Sequence, residues 1–316
     1  MVGRICGTGS YVPEAFYDNH DLTQMVDTSD EWIRERTGIV RRHIAKDDTT
    51  VSMAVKAAKR ALQNGNVDPK ELDLILVATM TPNFLVPGMA CVLQKELGAK
   101  NAAGFDLNAA CSGFIFAYQT AQAYIRAGIY QNILIVGSET LSSIVDWKDR
   151  GSCILFGDGA GAVVICAEEG EVNPCIVHSD GKMGEVLLCE SRHQRDWKDK
   201  ETLLKMDGQE VFKFAVKKVP EVLAELLEAV HMKAEDIDLY ILHQANRRII
   251  ESIAKRMKVD ADRFPMNLSE YGNTSSASIP ILLDELNRSG KLQQGQNVVL
   301  AGFGAGLSWG AALIKW

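Results

Sequence analysis

Residues 131–137 read Gln-Asn-Ile-Leu-Ile-Val-Gly, and residues 296–302 read Gln-Asn-Val-Val-Leu-Ala-Gly. The same spacing along the chain relates residues 71–76, Glu-Leu-Asp-Leu-Ile-Leu, to residues 236–241, Asp-Ile-Asp-Leu-Tyr-Ile. Two separate matches at one spacing indicate an internal repeat, which predicts two halves of related structure.

Each half alternates helical patterns with short apolar runs. The helical patterns cover Val51 to Gln63 and Glu210 to Val230, the second interrupted at Pro220. The apolar runs that follow are too short for helices and are typical of buried strands. This alternation predicts an α/β fold with helices on the faces of mainly parallel sheets. We place the boundary near residue 170, which gives halves of 1–170 and 171–316.

Each half also ends in a glycine-rich segment and a last strand. Residues 157–161 precede the apolar run 162–165, and residues 302–306 precede 311–314. We interpret both glycine segments as turns. A dinucleotide fingerprint opens a helix after a strand, whereas these segments lead into strands, so we do not expect NAD. Residues 190–201 are too polar to pack, which predicts a solvated loop.

Composition restricts the class of protein. The chain has 316 residues, of which 47% are hydrophobic, enough for two sizeable cores. No apolar run approaches the ~18 residues of a membrane span and no secretory signal follows Met1, so we expect a cytoplasmic protein without membrane insertion. The net charge of −7 argues against general nucleic-acid binding. Seven cysteines without a CxxC pair predict free thiols and no metal site.

Cys111 and His243 stand where α/β sheets place their chemistry. Cys111 lies between a short strand and a helix predicted from about Ser112 to Ala127, and the helix N-terminus is expected to lower the pKa of the thiol. His243 follows the predicted strand Leu239 to Leu242, at its carboxyl end. Each residue has an ordinary alternative, namely a buried inert cysteine or a structural histidine.

Asn273 lies among small polar residues before a helix predicted over Ile281 to Arg288. Its ordinary alternative is a helix cap, because asparagine is a preferred capping residue. The glycine-rich segment 302–306 carries so little side chain that its backbone is able to approach a substrate closely. Its ordinary alternative is a tight strand connection. All these features occur in one chain, which favours the functional interpretation of each.

Five segments together carry a family resemblance: Asn-Ala-Ala-Cys-Ser-Gly-Phe at 108–114, Gly-Asp-Gly-Ala-Gly-Ala at 157–162, His-Gln-Ala-Asn at 243–246, Gly-Asn-Thr-Ser at 272–275 and Gly-Phe-Gly-Ala-Gly at 302–306. The set resembles beta-ketoacyl-acyl-carrier-protein synthase III from Tyr11 to Gly310, nearly the whole chain. The resemblance implies a thiolase-like fold, with two pseudo-duplicated α/β halves and mixed sheets in α-β-α-β-α layers. It also implies a homodimer.

The resemblance further implies the reaction. Cys111 takes an acyl group from acyl-CoA. Malonyl-acyl carrier protein then loses carbon dioxide and attacks the acyl-cysteine, with His243 and Asn273 stabilising the developing negative charge. The backbone N–H groups of Cys111 and Ala305 hold the oxyanion in this scheme. Family members often carry glycine at the position of Ala305, so a positive φ there would count against the assignment. No cofactor is implied, because acyl-CoA is a substrate.

Binding residues follow from the same resemblance. CoA is assigned to Trp32, Arg36, Arg150 and Asn246. Acyl carrier protein, which is acidic, is assigned to the basic residues Lys213, Arg248, Lys255 and Arg256, the last three of which share one helix face by their spacing. The floor of the acyl pocket is assigned to Val86 and Pro87 of the other subunit. Valine there is smaller than the aromatic residue of acetyl-specific relatives, which predicts that longer primers are accepted.

Two alternatives stay open at this point. A ketosynthase of a secondary-metabolite pathway would share the chemistry and use other acyl partners. An acyl-CoA-binding protein without turnover would keep the tunnel but would not need Cys111, His243 and Asn273 together.

Overall fold

The computed structural model describes residues 1–191 and 202–316. The loop predicted for residues 190–201 therefore lies almost entirely outside the described residues. In chain order the strands are β1 (Val2–Tyr11), β2 (Phe16–Asp18), β3 (Arg41–His43), β4 (Leu74–Ala78), β5 (Ala103–Leu107), β6 (Asn132–Glu139), β7 (Gly159–Glu168), β8 (Cys175–Ser179), β9 (Leu187–Cys189), β10 (Leu204–Met206), β11 (Leu239–Leu242), β12 (Asn297–Gly304) and β13 (Ser308–Lys315). The α-helices are α1 (Asn19–Thr23), α2 (Asp30–Thr37), α3 (Thr50–Gly65), α4 (Met89–Leu97), α5 (Gly113–Arg126), α6 (Arg150–Cys153), α7 (Gly208–Ala229), α8 (Arg247–Met257), α9 (Leu268–Tyr271) and α10 (Ser278–Arg288).

Two mixed sheets organise these elements. The first has the order β1-β7-β6-β4-β5 and the second the order β11-β12-β13-β8. Helices α5 and α10 pack between the sheets, α3 and α4 cover the outer face of the first sheet, and α7 and α8 cover the outer face of the second. The predicted α-β-α-β-α layering is confirmed. The division of the chain at residue 170 stays a prediction.

The sequence repeat is also a repeat of hydrogen bonds. Asp73 Oδ2 accepts from the backbone N–H of Asn132 at 2.9 Å, and Asp238 Oδ2 accepts from that of Asn297 at 2.7 Å. The Nδ2 atoms of both asparagines donate at 3.1 Å to the carbonyl two residues before the aspartate. These bonds fix the parallel pairing of β4 with β6 and of β11 with β12. The repeated residues thus set strand register in both halves.

Helix α7 differs from the prediction, because it runs unbroken through Pro220. Proline has no N–H to donate to the carbonyl four residues earlier, and that lost bond is the usual reason for a break. Here the freed carbonyl of Val216 accepts instead from the guanidinium of Arg256 in α8. A contact between helices therefore replaces the missing backbone bond.

The glycine-rich segments also differ from the prediction. Residues 302–304 belong to β12, and residues 159–161 belong to β7, so much of each segment is strand rather than turn. Helix α10 begins at Ser278, three residues before the predicted start. Pro280 lies in its first turn, where a helix needs no N–H donor.

One pair of cysteines contradicts the expectation of free thiols. Cys6 and Cys166 form a disulfide between the antiparallel strands β1 and β7, with Cα atoms 6.0 Å apart. Cysteines 160 residues apart in sequence give no signal of such proximity without the strand pairing. The cytoplasmic location, inferred from the apolar pattern of the sequence, stays a prediction. Within the two described ranges, no helix combines the length and the apolar character needed to cross a membrane.

Candidate active site

Cys111 lies in a single 3-10 turn, Ala110–Ser112, directly before α5. Asn108 Oδ1 accepts from the backbone N–H of Ala110 at 3.1 Å, and Ala110 has a φ of 46°, a left-handed conformation that is strained for alanine. The residue Cys111 is 7% exposed. The turn therefore holds the sulfur of Cys111 in a fixed, buried position.

Strand β12 packs directly against this turn. A Cβ atom built on Gly304 would lie 2.8 Å from the nitrogen of Cys111 and 2.9 Å from its Cβ, closer than real contacts allow. Glycine at 304 is thus required by the close approach of two backbones. Ser112 Oγ and Ser308 Oγ are 2.7 Å apart, which joins the turn to β13 as well.

The predicted lowering of the Cys111 pKa is wrong. Burial raises the pKa of the thiol to about 12, and the opposing hydrogen bond from Ser275 does not compensate for it. A negative charge on Glu139 raises the pKa further. The reason is that the sulfur is almost fully desolvated while α5 begins only at Gly113. The thiol form of Cys111 accordingly predominates at neutral pH.

His243 follows β11 and continues its pairing, because its N–H donates to Ala301 O at 2.8 Å. Nδ1 lies 2.7 Å from Ser278 Oγ, and the ring packs edge-on against Phe303 at 5.2 Å between centroids. Burial lowers the pKa of His243 to about 3, so the imidazole is uncharged at neutral pH. The serine hydroxyl is able to donate to Nδ1, which leaves the proton on Nε2 as a donor.

Asn273 is held by its backbone rather than by a helix cap. Its N–H donates to Leu155 O at 2.8 Å, and its carbonyl accepts from Gly157 N–H at 3.0 Å. Its Oδ1 accepts from Ser275 N–H at 2.8 Å, which orients the amide. Because Oδ1 is occupied in this way, Nδ2 is the atom that is able to donate to a ligand.

A single cavity of about 590 Å³ joins these three residues. Its inner wall includes the buried residues Cys111, His243, Asn273, Phe303 and Gly304. Its outer wall includes the more accessible residues Trp32, Arg36, Gln209, Lys213, Asn246 and Arg248. The arrangement is a channel from the surface to a thiol, flanked by a neutral imidazole and an amide.

At the outer end of this cavity the predicted CoA residues form one group. Both guanidinium groups approach the indole ring of Trp32, that of Arg36 at 5.6 Å and that of Arg150 at 4.9 Å from its centroid. Asn246 caps α8, and its Nδ2 donates to Arg36 O at 3.1 Å, which ties α8 to α2. The indole and the arginines are therefore positioned together by contacts between elements remote in sequence.

The four predicted carrier-protein residues separate into two groups. Lys213 and Arg248 line the cavity, and the guanidinium of Arg248 lies 5.8 Å from the ring centroid of Phe212. Lys255 and Arg256 lie in the last turn of α8 and do not line the cavity. Arg256 is moreover engaged with Val216 O.

Ala305 and Val86 lie outside this cavity. Ala305 lines a second cavity of about 1070 Å³, together with Ala110 and Leu85. Its φ is not positive; the positive φ of the turn belongs to Gly306, at 138°. Alanine at 305 thus lies outside the left-handed region that would count against the assignment. Val86 is 84% exposed, and Pro87 is also exposed, in the single chain.

Sequence reasoning missed Ser278, Ser276 and Glu139. Ser278 orients His243, and Ser276 Oγ lies 3.0 Å from the buried carboxyl of Glu139. The sequence repeat was a usable signal for Ser276, because the spacing that relates residues 131–137 to residues 296–302 also relates Cys111 to that serine. Nothing in the sequence indicates that Glu139 is buried beside it. In the described ranges, no group of three or more His, Cys, Asp or Glu side chains is arranged to hold a metal ion.

Comparison with known proteins gives one family. Residues 105–183 match the model of 3-oxoacyl-[acyl-carrier-protein] synthase III, and residues 227–316 match the model of its C-terminal part. The beta-ketoacyl-[acyl-carrier-protein] synthase III of Clostridium acetobutylicum is 48% identical over 99% of this chain and 98% of the relative.

Two solved structures agree with these matches. The 3-oxoacyl-[acyl-carrier-protein] synthase III of Aquifex aeolicus is 44% identical, with a TM-score of 0.95 over 99% of this chain and 100% of that one. The priming beta-ketosynthase of the R1128 polyketide pathway is 38% identical, with a TM-score of 0.95 over 99% and 96% of the two chains. The chain therefore belongs to the beta-ketoacyl-acyl-carrier-protein synthase III family, and it is a condensing acyltransferase of the kind that initiates fatty acid biosynthesis.

Proposed function

We propose that Cys111 is the nucleophile of this condensing enzyme and that His243 and Asn273 are its two side-chain donors. The observation that carries the assignment is the cavity of about 590 Å³, which brings the three residues together beneath Trp32 and Arg36. A pantetheine arm is long and narrow, and a channel of this kind presents its thioester to a buried thiol.

In the first half-reaction the sulfur of Cys111 attacks the carbonyl of acyl-CoA. The carbon–sulfur bond to CoA breaks, a new thioester forms on Cys111, and the proton of the Cys111 thiol leaves with CoA. The oxyanion that forms in between is held by the backbone N–H groups of Cys111 and Ala305. No side chain has to move for this, because backbone donors are fixed by the fold.

In the second half-reaction malonyl-acyl carrier protein loses carbon dioxide. The electron pair left on the α-carbon is delocalised onto its thioester oxygen, where Nε2 of His243 and Nδ2 of Asn273 donate hydrogen bonds. The α-carbon then attacks the acyl-Cys111 carbonyl, which releases beta-ketoacyl-acyl carrier protein and the Cys111 thiolate, and the thiolate takes up a proton from solvent to restore the thiol. Neutral donors suit this step because they stabilise negative charge without giving up a proton. The low pKa of His243, about 3, keeps the imidazole neutral.

Intact-protein mass spectrometry after mixing with separate acyl-CoAs tests the first half-reaction. One acyl adduct is expected on the wild-type chain, and peptide mapping is expected to place it on Cys111. Cys153, a second buried free cysteine, is the internal control and is expected to stay unmodified. An adduct that persists in Cys111→Ala would overturn the assignment.

We further propose that Lys213 and Arg248 receive the acyl carrier protein. Both lie at the accessible end of the cavity, where the carrier protein must stand to insert its pantetheine arm. Lys255 and Arg256 extend the positive surface along the last turn of α8. Positive charge around an entrance speeds the encounter with an acidic partner, and the effect weakens as salt is added.

We also propose a homodimer in which each subunit completes the acyl pocket of its partner. Strand β5 forms an edge of the five-stranded sheet, with Phe105 40% exposed, and the adjacent loop exposes Phe84, Leu85 and Val86. An open edge beside an apolar loop favours association. The cavity of about 1070 Å³ reaches Ala110, next to Cys111, so a partner loop that enters it would limit primer length. Sedimentation analysis is expected to give twice the chain mass, and Leu85→Asp is expected to shift the protein to monomer.

A ketosynthase role in a secondary-metabolite pathway is the second candidate. The observation that favours this role is the fold match to a priming ketosynthase of polyketide synthesis, at a TM-score of 0.95. A shared fold does not by itself distinguish the two pathways. Condensation assays with the fatty acid carrier protein and with polyketide carrier proteins separate the two roles. We expect the higher kcat/KM with the fatty acid carrier protein.

A further inference from the structure

Glu139 is a fully buried acid at the end of β6. Its Oε2 lies 2.6 Å from Thr81 Oγ1 and 3.1 Å from Thr79 Oγ1, and it also accepts from the backbone N–H groups of Met80 and Thr81. Its Oε1 lies 3.0 Å from Ser276 Oγ. Among the described residues, no Lys, Arg or His lies within ion-pairing distance of this carboxyl. A buried carboxylate without a cation is costly, which favours the protonated acid.

The hydroxyl hydrogens around Glu139 indicate which of its oxygens carries the proton. Thr79 Oγ1 accepts from Thr81 N–H, and Thr81 Oγ1 accepts from Thr140 N–H, so both threonine hydrogens are free to point at Oε2. Ser276 Oγ has one hydrogen and lies 2.8 Å from Ala78 O, which is only able to accept. The contact of 3.0 Å between Oε1 and Ser276 Oγ is then satisfied if Oε1 carries a proton and donates it.

Burial acts in the same direction, because it raises the pKa of Glu139 to about 7 against the hydrogen bonds from Thr81 and Met80. Around neutral pH the protonated and ionised forms are therefore both populated. In the ionised form the proton on Oε1 is lost. The single hydroxyl hydrogen of Ser276 then donates either to Ala78 O or to the carboxylate, and one of these acceptors loses its partner.

Two sets of contacts connect Glu139 with the catalytic turn, which is the 3-10 turn Ala110–Ser112 that carries Cys111. Ser276 belongs to the turn Ser275–Ala277, whose first residue hydrogen-bonds Cys111 and is oriented by Asn273. Met80, whose N–H donates to Glu139, has its sulfur 3.9 Å from Ser275 Oγ. A charge on Glu139 also raises the pKa of Cys111. The acid therefore influences both the geometry and the electrostatics at the thiol.

We propose that Glu139 is a positioning residue of the condensing reaction: its protonated form holds Ser276 and the catalytic turn, and its ionisation slows acyl transfer to Cys111. This inference rests on the role proposed for Cys111. The groups that face Glu139 from neighbouring elements are Thr79, Met80 and Thr81 after β4, Ser276 before α10 and Cys111 before α5. Cys111 is the titratable group among these, so the pair Glu139 and Cys111 governs the local pH response.

Glu139→Gln tests the proposal, because a glutamine has the shape of the protonated acid and cannot ionise. Its Nε2 donates to Ser276 Oγ and its oxygen accepts from the threonines. The rate of acetyl-CoA adduct formation is measured by quenched mass spectrometry from about pH 6 to about pH 9 for variant and wild type. The thiolate fraction of Cys111 rises with pH in both proteins and cancels in the ratio of their rates. The pH dependence of that ratio therefore reports the ionisation of Glu139.

The ratio of the Glu139→Gln rate to the wild-type rate is expected to increase with pH, by about tenfold if a like charge shifts the Cys111 pKa by about one unit. Below a pKa of about 7 Glu139 is neutral in the wild type, and the two proteins are alike. Above that pKa the wild type carries a charge that the variant lacks, and only the wild type is slowed. Asp158→Asn is the matched control, because Asp158 is another buried carboxyl that accepts from a serine hydroxyl, Ser142 Oγ. A flat ratio is expected for this control. A flat ratio for Glu139→Gln would overturn the inference.

Ser276→Ala supplies a second test if Glu139→Gln does not fold. If Glu139 donates its proton to Ser276, removal of the hydroxyl destabilises the neutral acid, and the loss of acylation rate begins at lower pH. If Ser276 instead donates to a carboxylate, the loss begins at higher pH, which would overturn the proton assignment. No adduct on wild type at any pH would overturn the role of Cys111 and this inference with it. An adduct with a flat ratio would overturn this inference alone.

Discussion

The turn that carries Cys111 and the turn that carries Ser276 share one backbone design and differ in chemistry. Each is a 3-10 turn, Ala110–Ser112 and Ser275–Ala277, with a left-handed first residue at φ 46° and 51°. Each follows an asparagine whose Oδ1 accepts from that first residue, and each leads directly into a helix between the sheets. The duplicated halves therefore offer two positions of equivalent geometry for a nucleophile.

The surroundings of the two positions favour the first, at Cys111, as the proposed catalytic site. Cys111 faces Gly304 and opens onto the cavity, whereas Ser276 faces Glu139, the residue at the equivalent position of the first half. His243 likewise corresponds to Ala78, whose carbonyl lies 2.8 Å from Ser276 Oγ. Glycine at 304 lets the backbones of β12 and of the Cys111 turn approach closely beside the cavity, whereas the side chain of Glu139 fills the equivalent space beside Ser276. The comparison shows that a shared fold sets where chemistry is possible, and that a few side chains decide whether it occurs.

Cys111→Ser tests this difference most directly, because it gives the first half the residue of the second. We expect condensation to fall by at least about 10⁴-fold, since a buried hydroxyl is a far weaker nucleophile and the catalytic residues act as a unit. The measurement is the rate of beta-ketoacyl product formation. The double variant Cys111→Ala, Ser276→Cys is expected to form no acyl adduct. An adduct mapped to position 276 of that variant would show that the second position is open as well.

His243→Ala places at 243 the residue that stands at the equivalent position 78. We expect decarboxylation of malonyl-acyl carrier protein to fall by about 10²- to 10³-fold, because one donor to the developing charge is lost. Asn273→Ala is expected to lose a similar factor. Adduct formation on Cys111 is the control and should survive in both variants. Unchanged carbon dioxide release would show that the donors lie elsewhere.

Gly304→Ala tests the close approach of β12 to the Cys111 turn by adding a single methyl group. The added Cβ would lie 2.8 Å from the Cys111 nitrogen, so the catalytic turn has to shift. We expect kcat to fall by about 10²-fold, the cost of misplacing a nucleophile by about 1 Å. Thermal melting measures any loss of stability alongside. Gly181→Ala is the matched control, because a Cβ there meets nothing within 4 Å, and wild-type activity is expected.

The connections after β4 and β11 provide another comparison between the halves. Residues 243–246 lead from β11 into the basic helix α8, and residues 79–88, which include an exposed apolar loop, lead from β4 into α4. We expect Arg248→Glu to raise the KM for malonyl-acyl carrier protein by about tenfold at low salt and that for acyl-CoA much less. Lys255→Glu, away from the cavity, is the control, with a smaller effect. Equal changes for both substrates would show that Arg248 acts on the pantetheine arm common to both substrates and not on the carrier protein.

Val86→Phe examines the apolar connection and has the smallest expected effect. If Val86 of the partner limits the acyl pocket, the wild type accepts four-carbon and branched primers as well as acetyl-CoA. Each buried methylene contributes about 0.8 kcal/mol, or roughly fourfold in preference. The variant is expected to lose that preference when kcat/KM is compared for acetyl-, butyryl- and isobutyryl-CoA. An unaltered profile would remove Val86 from the pocket.

Local patterns in the sequence predicted much of the fold. Strand β11 has the predicted bounds, and α3 spans Thr50–Gly65 where the pattern covered Val51 to Gln63. The prediction failed where partners distant in sequence act. Arg256 stabilises α7 at Pro220, and strand pairing brings Cys6 to Cys166. Neither contact leaves a periodic signal, because periodicity reports the solvent-facing and core-facing sides of one element and not its partner.

The sequence by itself predicted the duplicated architecture, the family and the three residues that line one cavity, Cys111, His243 and Asn273. These are written in repeats and short motifs, which need only near neighbours to be recognised. The tertiary structure alone decided the protonation states of Cys111, His243 and Glu139, and the closure of the second position by Glu139. The physical reason is that the pKa of a buried group depends on how much water is removed and on which dipoles and charges replace it. Both are set by residues that meet only after the two halves have packed together.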